Sequence, residues 1–176
     1  MKYAQSVEQI GFLILIMTIK NGRDTLTQLQ AEVDVVIIGG GQAALATAYF
    51  LKRKKIPFVI LDDQSQAGGA WSHAWESLRL FSPNTWSSLS GWMMPTTEQT
   101  YPTRNEVIEY LSVYEQRYQF PIIRPVHVDH IEQNDGYLDV YAGEKYWRAK
   151  AVVSATGTWS QPYIPPYKGY ENFKGI

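Results

Sequence analysis

An α/β fold built on a parallel βαβ unit is predicted by three features that follow one another along the chain. Residues 35–38 are apolar and mostly β-branched, as in a strand that is buried on both faces. They lead into the turn Gly39-Gly40-Gly41 and a helical segment, and a second apolar strand then ends at Asp62. Strand, glycine turn, helix, strand and acid in this order indicate a Rossmann-like dinucleotide-binding domain.

The glycine turn has the small residues that close approach to a phosphate requires. Gly39 permits the tight exit from the strand, and the missing side chain of Gly41 lets a pyrophosphate approach the backbone. Ala44 is small enough for the helix to pack closely on the strand. The helix is predicted from about Gln42 to Arg53. Its first amides, at Gln42 and Ala43, and roughly half a positive charge from the helix dipole would face the phosphates.

The acid that completes the fingerprint is Asp62. It lies 23 positions after Gly39, close to the expected separation of about 20 residues. A carboxylate there can accept hydrogen bonds from both hydroxyls of an adenosine ribose. An acid at a strand end is otherwise a common turn residue, but the preceding strand, turn and helix favour the ribose role. Asp63 is included among the expected cofactor-binding residues.

Composition excludes several classes of function. The chain has 176 residues, a net charge of −1 and no cysteine. Near-neutral charge without a basic block argues against nucleic acid or an anionic membrane as partner. The absence of cysteine excludes a thiol nucleophile, a dithiol pair and a cysteine-ligated metal within these residues. His127 and His130 are expected on opposite faces of a strand, so no metal site is predicted.

The first 30 residues are interpreted as a poorly ordered extension that precedes a domain over residues 31–176. Residues 10–19 are apolar, but a bilayer span needs about 20 apolar residues. No stable membrane insertion is therefore expected, and a short membrane-surface anchor is the alternative. Polar residues 21–30 are interpreted as a linker, and a cytoplasmic location is expected.

Further elements follow the βαβ unit. Gly68 and Gly69 permit close backbone approach, and Trp71 could stack on a flat ring. Residues 72–102 are irregular and aromatic, which favours a pocket-lining role. A capping box from Thr103 to Glu106 predicts a helix that ends at about Tyr118. The side chains expected to be buried on this helix are Val107, Ile108, Leu111 and Tyr114.

A small β-meander is predicted after that helix. Its strands are expected at residues 122–123, 126–131, 137–142 and 146–149, with turns at Asn134-Asp135-Gly136 and Gly143-Glu144. The chain then returns to the sheet at residues 151–155. The Ala155-Thr156-Gly157 end of this strand is expected to pass beside the dinucleotide.

These motifs together resemble the two-dinucleotide-binding flavoproteins, specifically the flavin-containing monooxygenase-like superfamily. The resemblance covers residues 31–176 and rests on the GxGxxA turn, Asp62, the GGxW motif and ATGxxxxPxxP, which starts at Ala155 and includes Pro162 and Pro165. Three segments are most similar in sequence to the flavoprotein monooxygenases associated with arsenic-resistance operons: GGGQAALATAYFL, SLRLFSPNTWSS and VVSATGTWSQPYIP.

The resemblance implies an FAD site and a redox function. The residues expected to bind FAD are Gly39, Gly41, Gln42, Ala43, Asp62, Asp63, Gly69, Trp71, Val128, Ala155, Thr156 and Gly157. Among them, Val128 would contact adenine through its backbone, and Gly69 and Trp71 would lie near the flavin. In the superfamily, NADPH reduces FAD, and the reduced flavin uses O2 to oxygenate a soft heteroatom.

The sequence departs from the family pattern in two places. The asparagine expected near the flavin is absent, because Leu78-Arg79 is followed by Leu80-Phe81, and Asn84 is out of register. The FxGxxxH motif would begin at Phe173, and no second GxGxxG occurs. The chain is therefore interpreted as the N-terminal part of the FAD-binding domain, incomplete relative to the two-dinucleotide-binding fold. The NADPH domain and the C-terminal return are expected to be absent.

Three functions stay open at this point. The first is the FAD-binding part of an NAD(P)H-dependent monooxygenase that oxidises a small arsenical, sulfur or nitrogen substrate. The second is an inactive or purely flavin-binding fragment, and the third is a flavin-linked reductase. No catalytic residue is assigned, although Arg79 and Arg104 are candidates to face the pocket. The expected partner is a small-molecule substrate, and self-association is left open.

Overall fold

The computed structural model describes residues 15–16, 27–96, 99–160, 163 and 165–175. The strands are β1 (Leu15–Ile16), β2 (Thr27–Ile38), β3 (Phe58–Leu61), β4 (Ile122–Ile123), β5 (His130–Asn134), β6 (Tyr137–Ala142) and β7 (Lys145–Ser154). The helices are α1 (Gln42–Arg53) and α2 (Arg104–Tyr118), with 3₁₀ turns at Gly69–His73, Asn84–Trp86 and Tyr170–Asn172. Most of residues 1–30, and Pro162 of the ATG motif, lie outside the described residues.

The described strands form one mixed sheet in the order β4-β3-β2-β7-β6-β5, and β1 pairs with β2. Strands β4, β3, β2 and β7 run parallel, with Val36 opposite both Val59 and Val152. The predicted α/β fold with a parallel βαβ unit is therefore confirmed. Because β2, β3 and β7 run in the same direction, the segments that follow their carboxyl ends meet at one edge of the sheet.

The meander differs from its prediction in two places. Strand β7 is one continuous strand over Lys145–Ser154, so the separate strands expected at 146–149 and 151–155 are wrong. The polar residue that divided them, Lys150, forms an ion pair with Asp34 on the neighbouring strand, with its Nζ 2.6 Å from Oδ1. A charged residue at this position is thus compatible with an unbroken ladder.

The strand expected at residues 126–131 is also displaced, because β5 begins only at His130. The residues before it make isolated backbone hydrogen bonds. Val126 N–H donates to the Asp62 carbonyl at 2.8 Å, and Asp129 N–H donates to the Tyr141 carbonyl at 2.8 Å. The first of these bonds draws the segment towards the carboxyl end of β3.

Strand β2 begins at Thr27, inside the segment interpreted as an extension. Gln28 and Leu29 pair with Lys145 and Tyr146 of β7, so residues 27–30 belong to the sheet. No helix within the described residues is long and apolar enough to cross a membrane.

Helices α1 and α2 pack on one face of the parallel half of the sheet. Their buried side chains are Ala44, Leu45 and Ala48 of α1 and Val107, Tyr110, Leu111 and Tyr114 of α2. The predicted bounds of α1 and the capping box of α2 are confirmed. Ile108 is only partly buried, and Tyr110 is buried instead. The Tyr110 hydroxyl accepts from Leu89 N–H and donates to the Trp92 carbonyl, each at 2.8 Å, which satisfies its polar atom.

Candidate functional site

A cavity of about 740 Å³ opens at the edge where the parallel strands end. All twelve residues expected to bind a cofactor line it: Gly39, Gly41, Gln42, Ala43, Asp62, Asp63, Gly69, Trp71, Val128, Ala155, Thr156 and Gly157. The structure therefore brings together segments that are up to 118 positions apart in the sequence. The volume of the cavity lies in the range of known ligand sites, about 300–1,000 Å³.

The base of this cavity is formed by backbone segments that lie very close to one another. A Cβ atom added to Gly39, where φ is +101°, would lie 2.5 Å from the Ala155 carbonyl oxygen. A Cβ atom added to Gly69 would lie 2.7 Å from the Gly41 Cα. The turn after β2 thus contacts both the end of β7 and the Gly68-Gly69 segment, and no side chain fits between them.

Helix α1 presents its N-terminus to the cavity. Its N-cap residue is Gly41, no side chain caps it, and its first turn carries no acidic residue. Within the described part of the chain, no side chain caps the amides of the first turn, and Gln42 and Ala43 line the cavity. Such a helix N-terminus favours the binding of an anion, because the free N–H groups and the positive end of the helix dipole both face the ligand.

Asp62 belongs to a buried network of charges. Its side chain is 2% exposed, and Arg124 Nε donates to its Oδ2 at 2.7 Å. The two terminal nitrogens of Arg124 donate to the two carboxylate oxygens of Glu115, at 2.8 and 3.0 Å. Burial of the guanidinium lowers the pKa of Arg124, but the hydrogen bonds to Glu115 and Asp62 outweigh it, so this pKa is raised. Sequence reasoning missed Arg124 and Glu115.

Trp71 is fixed from two sides. Its Nε1 donates to Gln42 Oε1 at 3.2 Å, which connects it to the first turn of α1. Arg104 Nε donates to the Trp71 carbonyl at 3.0 Å, and Arg104 Nη2 donates to the Ser72 carbonyl at 2.6 Å. Arg104 therefore stabilises the backbone of the cavity wall through these bonds, but its side chain does not line the cavity.

Arg79 also does not line the cavity, which corrects the expectation that it faces the pocket. It lies in a separate surface depression with Leu78, Phe81 and Tyr101, and its Nη1 donates to the Tyr101 carbonyl at 3.3 Å. This depression is formed by the irregular segment 72–102. Residues 77–81 and Tyr101 of this segment line the depression, in agreement with the predicted pocket-lining role, whereas His73 alone among its described residues reaches the larger cavity.

Asn84 has a structural role. It is buried, its Nδ2 donates to the Pro95 carbonyl at 3.2 Å, and its Oδ1 accepts from Thr85 N–H at 2.8 Å. It does not line the cavity.

Several cavity residues were not found from the sequence. His73 Nε2 lies 2.7 Å from Gln64 Oε1, and the His73 ring stacks on Trp159 with centroids 5.8 Å apart. These three side chains line the cavity together with His127 and Ser160. The only sequence signal for Trp159 was its position directly after the Ala155-Thr156-Gly157 strand end.

A family model described as pyridine nucleotide-disulphide oxidoreductase matches residues 36–175. An uncharacterised CzcO-like oxidoreductase from Geobacillus kaustophilus is 37% identical over 139 residues, which are 79% of this chain and 40% of that protein. The indole-3-pyruvate monooxygenase YUCCA6 from Arabidopsis thaliana is 30% identical over 148 residues, which are 78% of this chain and 35% of that protein. The chain thus spans about two fifths of the length of the curated relatives it matches.

Solved structures agree with this relationship. A flavin-containing monooxygenase from Stenotrophomonas maltophilia has a TM-score of 0.78 and 50% identity, over 84% of this chain and 45% of that one. A cyclohexanone monooxygenase mutant from Rhodococcus, bound to NADP+, has a TM-score of 0.68 at 23% identity, over 82% of this chain and 30% of that one. The second similarity concerns the fold alone.

Proposed function

The chain belongs to the pyridine nucleotide-disulphide oxidoreductase family, among its flavin-containing monooxygenase-like members, and from this premise we propose that it is the FAD-binding part of an NAD(P)H-dependent monooxygenase. The proposed substrate is a small molecule with a soft heteroatom: an arsenical, a sulfur compound or a nitrogen compound. The arsenical rests on the sequence resemblance alone. The proposed location is the cytoplasm.

The observation that carries the proposal is the glycine-lined base of the cavity beside the uncapped N-terminus of α1. FAD fits this arrangement in its chemistry, because a pyrophosphate needs backbone N–H groups that side chains do not cover. Gly41 leaves that backbone open, Gly39 lies against the end of β7, and Gly69 contacts the same turn. Asp62, at the end of the neighbouring strand, supplies the acceptor that an adenosine ribose needs.

The remaining residues divide the work of binding and orientation. The backbone of Val128 would contact adenine, and Ala155-Thr156-Gly157 would pass beside the dinucleotide. Trp71, held by Gln42 and Arg104, would lie near the flavin ring and shield it from water. Bound FAD, reduced by NAD(P)H, would supply the chemistry that activates O2 for transfer to the substrate heteroatom.

The first test is cofactor binding by the purified full chain. The apo-protein is titrated with FAD and with FMN, and binding is followed by flavin fluorescence and by absorbance in the flavin bands. FAD is expected to bind tightly and to give a yellow protein. FMN is expected to bind more weakly because it lacks the adenosine and one of the phosphates. A protein that takes up no FAD would overturn the proposal.

The second test separates the monooxygenase from its alternatives. The FAD-loaded protein is mixed with NADPH under O2 and then with arsenite, an organic sulfide or an amine. Bleaching by NADPH followed by substrate oxidation supports the monooxygenase. Bleaching with release of hydrogen peroxide and no substrate oxidation favours a flavin-linked reductase or oxidase. A yellow protein that NADPH does not bleach favours a purely flavin-binding function for this chain.

A further inference from the structure

We infer that Arg124 is a positioning residue of the cofactor site, which orients the Asp62 carboxylate for the hydroxyls of an adenosine ribose and is itself held by Glu115. This inference rests on the proposed function. It assigns a role to two residues that are remote in sequence from the glycine fingerprint.

The two carboxylate oxygens of Asp62 differ in their hydrogen-bond partners. Oδ2 accepts from Arg124 Nε at 2.7 Å. Among the described residues, Oδ1 receives only a long contact of 3.5 Å from the Gln64 backbone N–H. A carboxylate can accept about four hydrogen bonds. Asp62 lines the cavity, so Oδ1 is the oxygen with the capacity to accept ribose hydroxyls.

Arg124 is held more firmly than an arginine in a surface ion pair. Its side chain is 13% exposed and that of Glu115 is 12% exposed. The pair with Glu115 is bidentate, at 2.8 and 3.0 Å. Planar two-point pairing restricts the guanidinium to one orientation. Nε of Arg124 is therefore aimed at Asp62 by a rigid support on α2.

The Asp62–Arg124 pair also contacts the glycine turn. A Cβ atom added to Gly40 would lie 2.2 Å from Asp62 Oδ2 and 2.9 Å from Arg124 Nη2. The ion pair therefore packs directly against the backbone of the turn.

The experiment is a double-mutant cycle read with two nucleotide probes. Wild type, Arg124→Gln, Asp62→Asn and the double variant are titrated calorimetrically, as apo-proteins, with ADP and with 2′,3′-dideoxyADP. In the wild-type background, Arg124→Gln is expected to weaken ADP binding about tenfold or more, as for loss of a hydrogen bond to a charged group. The same substitution is expected to change ADP binding less than about twofold in the Asp62→Asn background, because the residue acts through Asp62. Binding of 2′,3′-dideoxyADP is expected to change little.

Controls keep a folding defect apart from a positioning defect. Glu115→Gln leaves the Arg124–Asp62 pair in place and is expected to give a smaller loss of the same kind. Arg124→Lys is expected to restore part of the preference for ADP over the dideoxy probe. Arg148→Gln removes another arginine that pairs with a buried aspartate, Asp139, outside the cavity, and is expected to leave the preference unchanged.

The outcomes separate this inference from the proposed function. Equal losses for ADP and dideoxyADP, or a loss that persists in the Asp62→Asn background, would overturn the positioning role while FAD binding by the wild type stands. A wild-type protein that binds neither FAD nor ADP overturns the proposed function, and the positioning role with it.

Discussion

Gly41 and Gly69 are in direct backbone contact, although they are 28 positions apart in the sequence. A Cβ atom on Gly69 would lie 2.7 Å from the Gly41 Cα and 3.4 Å from its nitrogen. The GxGxxA turn and the GGxW motif therefore form one continuous backbone surface at the N-terminus of α1. The two motifs are separate in the sequence. In the structure they pack against each other, so the position of each depends on the other.

The first prediction concerns this contact. Gly69→Ala is expected to displace the Gly41 turn and to reduce FAD affinity about tenfold or more, since each ~1.4 kcal/mol of binding free energy is a factor of ten. Gly143→Ala is the matched control. Gly143 has φ +59°, against +52° for Gly69, but an added Cβ atom there meets nothing within 4 Å. Both variants carry the strain of a left-handed residue, so an equal loss of FAD affinity in both would contradict the role of the contact.

The outcome of the sequence predictions follows the range of the interactions. Helix α1 and the capping box of α2 depend on residues a few positions apart, and both were predicted correctly. The continuity of β7 was missed because the partner that makes Lys150 compatible with a strand, Asp34, lies on another strand. Arg124 was missed for the same reason, since its partners Asp62 and Glu115 are 62 and nine positions away.

The second prediction concerns the start of α2. Thr103 N–H donates to Glu106 Oε2 at 2.7 Å, and Thr103 Oγ1 accepts from Glu106 N–H. Thr103→Ala is expected to lower the free energy of unfolding by about 1 kcal/mol, as measured by urea denaturation. Thr103→Ser retains the hydroxyl and is expected to lose only a small part of this. Equal losses in the two variants would show that the methyl group, and not the cap, stabilises the helix.

The third prediction is a loss of stability in alkali. Burial, reinforced by the neighbouring Tyr118, Tyr110 and Tyr49, raises the pKa of Tyr114 above its ordinary value of 10.0. Because the folded state holds this proton more tightly than the unfolded state, the stabilisation is complete below pH 10.0 and decreases as the pH rises further.

Urea unfolding at increasing alkaline pH checks this third prediction. Tyr114→Phe removes both the titration and the hydrogen bond from its hydroxyl to the Ser90 carbonyl at 2.6 Å. The variant is expected to be less stable by about 1 kcal/mol at neutral pH and to lose stability less steeply in alkali. Tyr170→Phe, at an exposed position, is expected to keep the steep dependence of the wild type. A Tyr114→Phe variant that also keeps it would contradict the prediction.

The fourth prediction concerns acid and the meander. Asp139 is 1% exposed, and Arg148 donates to both of its oxygens at 2.7 Å. The hydrogen bonds from Arg148 lower the pKa of Asp139 below 3.8, against the opposing effect of burial. Its contribution to stability is therefore present above pH 3.8 and is lost as the pH falls through the lowered pKa of the folded state.

Asp139→Asn tests this contribution, because it leaves Arg148 opposite a neutral side chain. The free energy of unfolding is expected to fall by about 2–3 kcal/mol at neutral pH, less than for a fully buried pair because Arg148 is 20% exposed. The gap to the wild type is expected to narrow in acid, where the wild-type carboxylate also becomes neutral. Asp34→Asn removes the partner of the exposed Lys150 and is expected to change stability much less, because solvent screens an exposed pair. Urea unfolding from neutral to acid pH measures the free energy of unfolding of all three proteins. If the difference between Asp139→Asn and the wild type stays constant with pH, packing around Asp139, and not its charge, stabilises the meander.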